Sequence, residues 1–352
     1  MKPLLAVVPT AAVVLVASAC WGGGSGPTAD TSLTATPTAP PDTTILFTSQ
    51  RDGDHEIYIV DADGSDLANL TNSPGFDGDG QWSPDGSLIA FVSDRVGNRE
   101  IYVMDADGSN VTRVTNNEAF DASPRWSPDG TRILFTSLLN EGRDVYAVDA
   151  DGSNSVRLTR RSDVDSSPPS WSPDGTRILL TSFREGKRDI YITNADGGEA
   201  RLVAEDVAGD RGPPVWSPEG DRIAFTSRHD GNLDISVVKA DGTAKTRLTR
   251  NPGSDGFADW SPDAKRVAFV SDRHGNDEIY VMDALGGNVI RLTEQLASEG
   301  RPRWSPDGSW ILFESIRDGN PEIYIMEADG SNVSRLTDHP FSDADAVWSI
   351  QS

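Results

Sequence analysis

Carboxylates at one recurring position are the most regular chemistry-bearing feature of this 352-residue chain. Each lies five or six residues before one of seven regularly spaced tryptophans, and the set is Asp77, Asp121, Asp165, Asp210, Asp255, Glu299 and Asp343. Gathered around one opening, these residues would form an acidic ring that attracts a cation or a basic peptide. The spacing therefore predicts a ligand-binding site.

A structural role is the alternative for the acidic ring, in which each carboxylate caps loop amides or pairs with an arginine. Five repeats carry an arginine at one equivalent position, at Arg51, Arg95, Arg184, Arg273 and Arg317. Leu139 and His229 occupy that position in the other two repeats. The structural role is favoured, and it would leave two carboxylates unpaired.

A second acidic set begins a strand-like run in every repeat, at Glu56, Glu100, Asp144, Asp189, Asp234, Glu278 and Glu322. An unpaired buried charge is costly, so a carboxylate kept at a strand start is most simply a hydrogen-bond anchor between structural units. We assign this set to structure.

Metal binding has weak support. The stretches Asp105 to Asn110 and Asp149 to Asn154 alternate carboxylates as calcium loops do, but their glycine comes fourth instead of sixth and no glutamate follows at the twelfth place. They are predicted to be tight turns. His55 and His339 could approach Asp343 in metal-ligand geometry, although scattered surface histidines such as His229 and His274 are the commoner case. We expect no metal and no cofactor.

Catalytic motifs are missing from the sequence. It contains no Gly-x-Ser-x-Gly elbow, phosphate-binding loop or His-Glu-x-x-His motif, and its one cysteine, Cys20, lies outside the repeats. We therefore expect a protein that is not an enzyme.

A repeat of 44 or 45 residues must position these groups. Tryptophans mark it at Trp82, Trp126, Trp171, Trp216, Trp260, Trp304 and Trp348. Each unit holds four runs rich in β-branched and aromatic residues, bounded by turn residues, which predicts four strands. Ser83-Pro84-Asp85-Gly86 has proline and glycine where a type I turn favours them. Four strands in about 44 residues is the blade length of a β-propeller.

The phase of the repeat predicts how the ring closes. The chain enters on a second strand, Ile45 to Ser49, and leaves on a first strand, Ala346 to Ser349. The C-terminus would therefore complete the N-terminal blade. We predict an all-β, seven-bladed propeller over residues 44–352.

The repeat motifs resemble a known family. Trp-Ser-Pro-Asp-Gly, Glu-Ile-Tyr-x-Met-Asp-Ala-Asp-Gly and Arg-Leu-Thr look like the WD40-like repeat of the TolB family and cover the whole folded region. The resemblance implies a periplasmic propeller that binds protein partners in the cell envelope. This chain has seven repeats where the TolB propeller has six, and it lacks room for the family's additional N-terminal domain.

The N-terminal segment predicts export and anchoring. Residues 1–19 have a basic start, an apolar run and small residues, as a secretory signal does. The following Cys20 resembles the lipidated cysteine of bacterial lipoproteins, although Ala17 replaces the usual leucine; cleavage nearby with an incidental cysteine is the alternative. Residues 20–43 are rich in Gly, Thr and Pro, which predicts a flexible tether. The protein would be exported and lipid-anchored, or periplasmic or extracellular.

The variable face is our name for the loops that enter each first strand together with those that join second and third strands, because these loops differ among the copies. We expect an envelope-anchored, TolB-like, monomeric scaffold that presents this face to a protein or peptide without catalysis. The alternative is a lyase, hydrolase or binding protein acting on extracellular glycan, for which Phe76, Phe120, Phe257 and Phe341 could supply stacking surfaces. The net charge of −24 argues against nucleic acid.

Overall fold

The computed structural model describes residues 43–349 apart from 141, 160–167, 185–186, 199 and 210. These residues form seven four-stranded antiparallel sheets, and in the described part of the chain no helix occurs. The predicted seven-bladed, all-β propeller is confirmed. The signal peptide, Cys20 and the tether lie outside the described residues.

Each blade contributes an inner, a second, a third and an outer strand, with the inner strand at the channel. Blade 1 contains β1 (Thr44–Ser49), β2 (Glu56–Asp61), β3 (Ala68–Asn69) and, as its inner strand, β28 (Asp343–Trp348). Blade 2 contains β4 (Asp77–Trp82), β5 (Leu88–Ser93), β6 (Glu100–Asp105) and β7 (Thr112–Arg113). Blade 3 contains β8 (Asp121–Trp126), β9 (Arg132–Asn140), β10 (Gly142–Asp149) and β11 (Val156–Arg157). Blade 4 contains β12 (Ser170–Trp171), β13 (Arg177–Arg184), β14 (Lys187–Asn194) and β15 (Arg201–Ala204).

The remaining blades repeat the plan. Blade 5 contains β16 (Val215–Trp216), β17 (Arg222–His229), β18 (Asn232–Lys239) and β19 (Thr246–Arg247). Blade 6 contains β20 (Asp255–Trp260), β21 (Arg266–Ser271), β22 (Glu278–Asp283) and β23 (Ile290–Arg291). Blade 7 contains β24 (Glu299–Trp304), β25 (Trp310–Ser315), β26 (Glu322–Glu327) and β27 (Ser334–Arg335). Most outer strands have two residues, fewer than the run Asn332 to Thr337 suggested.

The turns follow the predicted chemistry. The Gly86 amide donates to the Ser83 carbonyl at 2.9 Å, closing a type I turn around Pro84 and Asp85. The Asp85 carboxylate accepts from the Ser83 hydroxyl at 2.6 Å, which holds the turn from the side. These turns lie on the face opposite to the variable face.

Apolar packing lies between blades. Seven apolar clusters occur among the described residues, one at each junction of neighbouring blades. Second strands contribute on both faces; for example, Ala90 packs toward blade 3 while Ile89 and Phe91 pack toward blade 1. The near-continuous apolar composition of these strands follows from their burial on both sides.

Three of the seven repeat tryptophans hydrogen-bond to the preceding blade. The Trp126 indole N–H donates to the Gln81 carbonyl of blade 2 at 3.1 Å, and Trp348 does the same to Arg303 of blade 7. Arginines at the start of several second strands stack over the next tryptophan, as Arg266 does 4.4 Å from the Trp304 ring centre. The spacing of 44 or 45 residues is therefore the distance along the chain between two contacting inner strands.

The ring closes as predicted. Strand β28 pairs antiparallel with β1, with Trp348 opposite Ile45 and Asp343 opposite Ser49. The Ser349 amide donates to the Thr44 carbonyl at 2.7 Å.

No helix in the described ranges is long and apolar enough to cross a membrane.

Candidate functional site

The described members of the acidic ring are buried at the base of the variable-face loops. Asp77, Asp121, Asp255, Glu299 and Asp343 are each at most 1% exposed, and Asp165 and Asp210 lie outside the described residues. Because they are buried, these five carboxylates do not form part of the outer surface of the variable face. Ligand attraction by the ring stays a prediction that these contacts do not test.

Four of these five carboxylates make the predicted arginine pairs. The pairs are Arg51–Asp343 at 2.8 Å, Arg95–Asp77 at 3.1 Å, Arg273–Asp255 at 3.1 Å and Arg317–Glu299 at 2.8 Å. Each arginine belongs to the loop after the second strand, so the pair ties that loop to the inner strand. In these four blades the carboxylates stabilise the scaffold under the variable face.

Asp121 of blade 3 is the exception, because Leu139 takes the place of the arginine. The Asp121 carboxylate accepts from the Asn117 amide group at 2.7 Å. Burial raises the pKa of Asp121 to about 6, as expected for a desolvated carboxylate without a nearby cation.

The second acidic set has the predicted structural role, although its contacts lie within one blade and its outgoing connector instead of between blades. Glu100 accepts from the Thr115 hydroxyl at 2.5 Å, from Arg113 at 2.7 Å and from the Asn117 amide at 2.9 Å. It therefore fixes the outer strand and the start of the loop that leads to blade 3.

The histidines and the aspartate-rich turns have local partners. His55 contacts Gln50 and the ring of Phe76, whereas His339 packs against Phe341. Asp105 accepts from Asn110 at 2.7 Å, which closes its turn internally. Among the residues that the structure describes, no three or more His, Cys, Asp or Glu side chains are grouped to hold a metal ion.

The phenylalanines of the variable loops divide between packing and exposure. Phe76 and Phe120 pack against the cluster between blades 2 and 3, with the Arg99 guanidinium over both rings. Phe341 is 53% exposed on the variable face. Phe257 belongs to β20, where it lines the central channel.

A repeated β-bulge shapes the channel wall. The inner strands of blades 1, 2, 3, 6 and 7 shift register three residues before the tryptophan. The residues at this point have φ between 50° and 57°, and they are Asp79, Ser123, Phe257, Arg301 and Asp345. Bulges redirect side chains, and positive φ is unusual for residues as large as phenylalanine and arginine. Here the bulge directs five different side chains into one cavity.

The cavity has a volume of about 240 Å³, and its two sides differ in polarity. Its apolar side includes Pro168, Pro213 and Phe257. Its charged side is lined by Asp79, Arg125, Arg301, Arg303, Glu314 and Asp345. We call this lining the channel wall.

Ion pairs organise the charged side of the channel wall. Arg301 contacts Asp345 and lies 3.4 Å from Glu314, while the Asp345 amide donates to Glu314 at 2.8 Å. Arg303 pairs with Asp259 at 3.3 Å. The neighbouring blades 6, 7 and 1 are thus connected along the channel wall by charge.

Asp79 and Arg125 lie on the same wall and are desolvated by the narrow channel. Burial raises the pKa of Asp79 and lowers the pKa of Arg125, and the attraction between the two opposes both shifts. Both charged groups are poorly hydrated in the narrow channel. A ligand of complementary charge would therefore interact with them strongly.

Sequence reasoning missed the channel wall, although a signal was present. Positions three and one before each tryptophan differ widely in charge and size among copies, whereas positions four and two hold only small residues or proline. At the third position before it stand Asp79, Ser123, Pro168, Pro213, Phe257, Arg301 and Asp345. Variation in charge and size at these positions marks a surface where the repeats are individually adapted.

Fold and channel wall together define a closed seven-bladed β-propeller with a lined central cavity. A family model described as the TolB beta propeller domain matches residues 28–141, 114–210, 143–295 and 259–352. The chain belongs to this TolB β-propeller family. No curated protein matches it.

Solved structures agree on the fold. A TolB candidate from Agrobacterium tumefaciens is 26% identical, with a TM-score of 0.52 over 65% of this chain and 84% of that one. TolB from Acinetobacter baumannii is 22% identical, with a TM-score of 0.58 over 87% and 82%. An oligogalacturonate lyase in complex with manganese is 19% identical, with a TM-score of 0.66 over 80% and 85%. The similar structures therefore include an enzyme as well as TolB proteins.

Proposed function

We propose that this protein is an exported, non-catalytic propeller that binds a protein or peptide through its variable face and channel wall. The observation that carries the proposal is the channel wall itself, where otherwise near-identical repeats place different side chains around one cavity. Family membership supports a TolB-like role with a partner in the cell envelope.

The composition of the channel wall favours a peptide. Three carboxylates (Asp79, Glu314 and Asp345) and three arginines (Arg125, Arg301 and Arg303) line one side, opposite a side lined by proline and Phe257. A segment of polypeptide offers charges of both signs together with apolar side chains, so it can satisfy both sides. In four blades the carboxylates of the acidic ring pair with arginines and support the loops from beneath.

Export and anchoring complete the proposal. Residues 1–19 would direct secretion, Cys20 would carry the lipid, and the tether would hold the propeller near the membrane surface. Lipid-anchored, periplasmic and extracellular placements all suit a partner in the envelope.

The test is affinity capture from a solubilised envelope extract with residues 44–352 as bait. Asp79→Asn combined with Phe257→Asn removes one charge and the aromatic ring, and asparagine tolerates the positive φ at both sites. We expect this bait to lose the partner. The matched control is Lys265→Glu on the opposite face, where the side chain is 81% exposed.

Direct binding then decides the proposal. The captured partner, or a peptide from it, should bind the isolated propeller at least roughly tenfold more tightly than it binds the double variant. Equal binding to both would contradict the channel site. Binding or cleavage of an extracellular glycan, with no protein captured, would support the alternative function.

A further inference from the structure

Four blades show how this fold holds a guanidinium group. In blade 6 the Arg273 Nε donates to the Ser271 hydroxyl at 2.8 Å and a terminal nitrogen donates to Asp255 Oδ1 at 3.1 Å. The guanidinium carbon lies 5.4 Å from the ring centre of Phe269 and 4.6 Å from that of Tyr280. Arg51, Arg95 and Arg317 make the same set of contacts in their blades.

We call this set of contacts (a carboxylate, a serine hydroxyl and two neighbouring aromatic rings) the guanidinium seat. Blade 3 has the seat but no arginine to occupy it. The Leu139 amide donates to the Ser137 hydroxyl at 3.2 Å, as the Arg273 amide does to Ser271 at 3.4 Å, so the two backbones match as far as this residue. Beyond it, β9 continues to Asn140, whereas blade 6 turns after Ser271. The aromatic pair is also present, with the rings of Phe135 and Tyr146 5.5 Å apart. Leucine supplies no donor, and its side chain is 50% exposed.

The carboxylate of the seat is present and incompletely bonded. Asn117 donates to Asp121 Oδ2 at 2.7 Å, just as Asn251 donates to Asp255 Oδ2 at 2.6 Å. The other oxygen, Asp121 Oδ1, is buried and makes no hydrogen bond of good geometry, although the nearby Ser137 and Thr115 hydroxyls act to lower the pKa of Asp121. Asp121 Oδ1 corresponds to the oxygen of Asp255 that receives the Arg273 guanidinium.

A cavity adjoins the vacant seat. It has a volume of about 280 Å³ and is lined by Asn117, Phe135, Ser137, Leu139 and Tyr146, among others. Asp121 is fully buried next to this lining and contacts it through Asn117. Since one water molecule takes up roughly 30 Å³ in the liquid, the space is sufficient for a small planar cation. Leu139 at its edge is half exposed, so the cavity opens to solvent beside the variable face.

We propose that the cavity between blades 2 and 3 binds a guanidinium group supplied from outside the chain, with Asp121 as its counterion. The bound group would donate to Asp121 Oδ1 and Ser137 Oγ and stack over Phe135 and Tyr146, reproducing the contacts of Arg273. A guanidinium fits better than an ammonium, because its planar fork reaches two acceptors while its face covers the rings. The site is separate from the channel wall and does not depend on the proposed function.

The raised pKa of Asp121 agrees with a missing cation. Burial is its cause, and Glu100, the neighbouring carboxylate, acts in the same direction. Glu100 already has Arg113 as its own partner at 2.7 Å. The negative charge at Asp121 therefore remains uncompensated.

Calorimetric titration with methylguanidinium and with an acetylated, amidated Gly-Arg-Gly peptide tests the proposal. We expect saturable one-site binding to the wild-type propeller. Asp121→Asn should weaken it by roughly 10- to 100-fold, since a hydrogen bond to a charged group is lost. Leu139→Arg should abolish binding and raise the melting temperature, because the new side chain occupies the seat.

A variant that lacks one of the bound arginines provides the positive control. Arg317→Ala removes the guanidinium that rests over Tyr324 and pairs with Glu299. Methylguanidinium should raise the melting temperature of this variant more than that of the wild type, since the variant gains a second empty seat.

The two probes distinguish the source of the cation. Binding of the peptide at least as tight as that of methylguanidinium indicates an arginine side chain of a partner, and binding of methylguanidinium alone indicates a small guanidino compound. The proposal is overturned by equal binding of a Gly-Lys-Gly peptide, by equal responses of wild type and Leu139→Arg, or by no saturable response of the wild type.

Discussion

Removal of residues 344–352 should abolish cooperative folding of the propeller. Strand β1 would lose its inner partner, including the pairing of Ile45 with Trp348. The cluster between blades 1 and 7 would lose Ala346 and Trp348 and expose Phe47 and Trp310. Full burial of one large apolar side chain stabilises a fold by about 1.5–3 kcal/mol, so the loss approaches the 5–15 kcal/mol that typically stabilises a domain.

Thermal unfolding followed by circular dichroism, with limited proteolysis, measures this effect. We expect no sharp transition and rapid cleavage within blade 1. Removal of residues 350–352 alone is the matched control, because it leaves β28 (Asp343–Trp348) intact. A melting temperature unchanged by the longer deletion would show that the closing strand does not stabilise the ring.

The same substitution in two blades should change stability in opposite directions. Asp255→Asn leaves Arg273, whose side chain is only 15% exposed, without its counterion. Breaking a buried pair in this way costs about 3–5 kcal/mol. Asp121→Asn instead removes a buried charge that has no arginine partner, while Asn117 can still donate to the amide oxygen. At pH 8 we therefore expect Asp255→Asn to be destabilised and Asp121→Asn to be more stable than the wild type.

The pH dependence separates the two cases. The pKa of Asp121 is about 6 in the folded protein and about 4 in the unfolded chain. The folded state therefore binds the proton more tightly than the unfolded chain does. The folding stability gained from this proton is fully present below pH ~4 and is lost as the pH rises through 6. A shift of about two units corresponds to at most ~3 kcal/mol.

Urea unfolding at pH 8 and pH 4 measures these differences. The advantage of Asp121→Asn should be present at pH 8 and disappear at pH 4, where Asp121 is protonated. Loss of stability in Asp121→Asn at pH 8, equal to that of Asp255→Asn, would mean that Asp121 has a cationic partner after all.

Much of the fold could be predicted because its signals are local. Pro84 and Gly86 favour their turn by their own backbone preferences. The apolar composition of the second strands indicates burial on both faces. The arginine pairs were also predictable, since Arg273 and Asp255 recur at matching positions in several copies. The channel wall was not, because its side chains reach the cavity through a bulge at positions such as Phe257 and Arg301, whose residue types rarely adopt a positive φ.

By itself the sequence determined the number of blades, the position of each turn and the strand that closes the ring, because each depends on spacing and on local backbone preference. Only the tertiary structure decided which side chains meet. It placed Asp79 and Phe257 from different blades around one cavity, and it left Asp121 buried without an arginine partner near the cavity beside Leu139. Contacts between neighbouring repeats arise from packing across blade junctions. An alignment of the repeat sequences does not specify this packing.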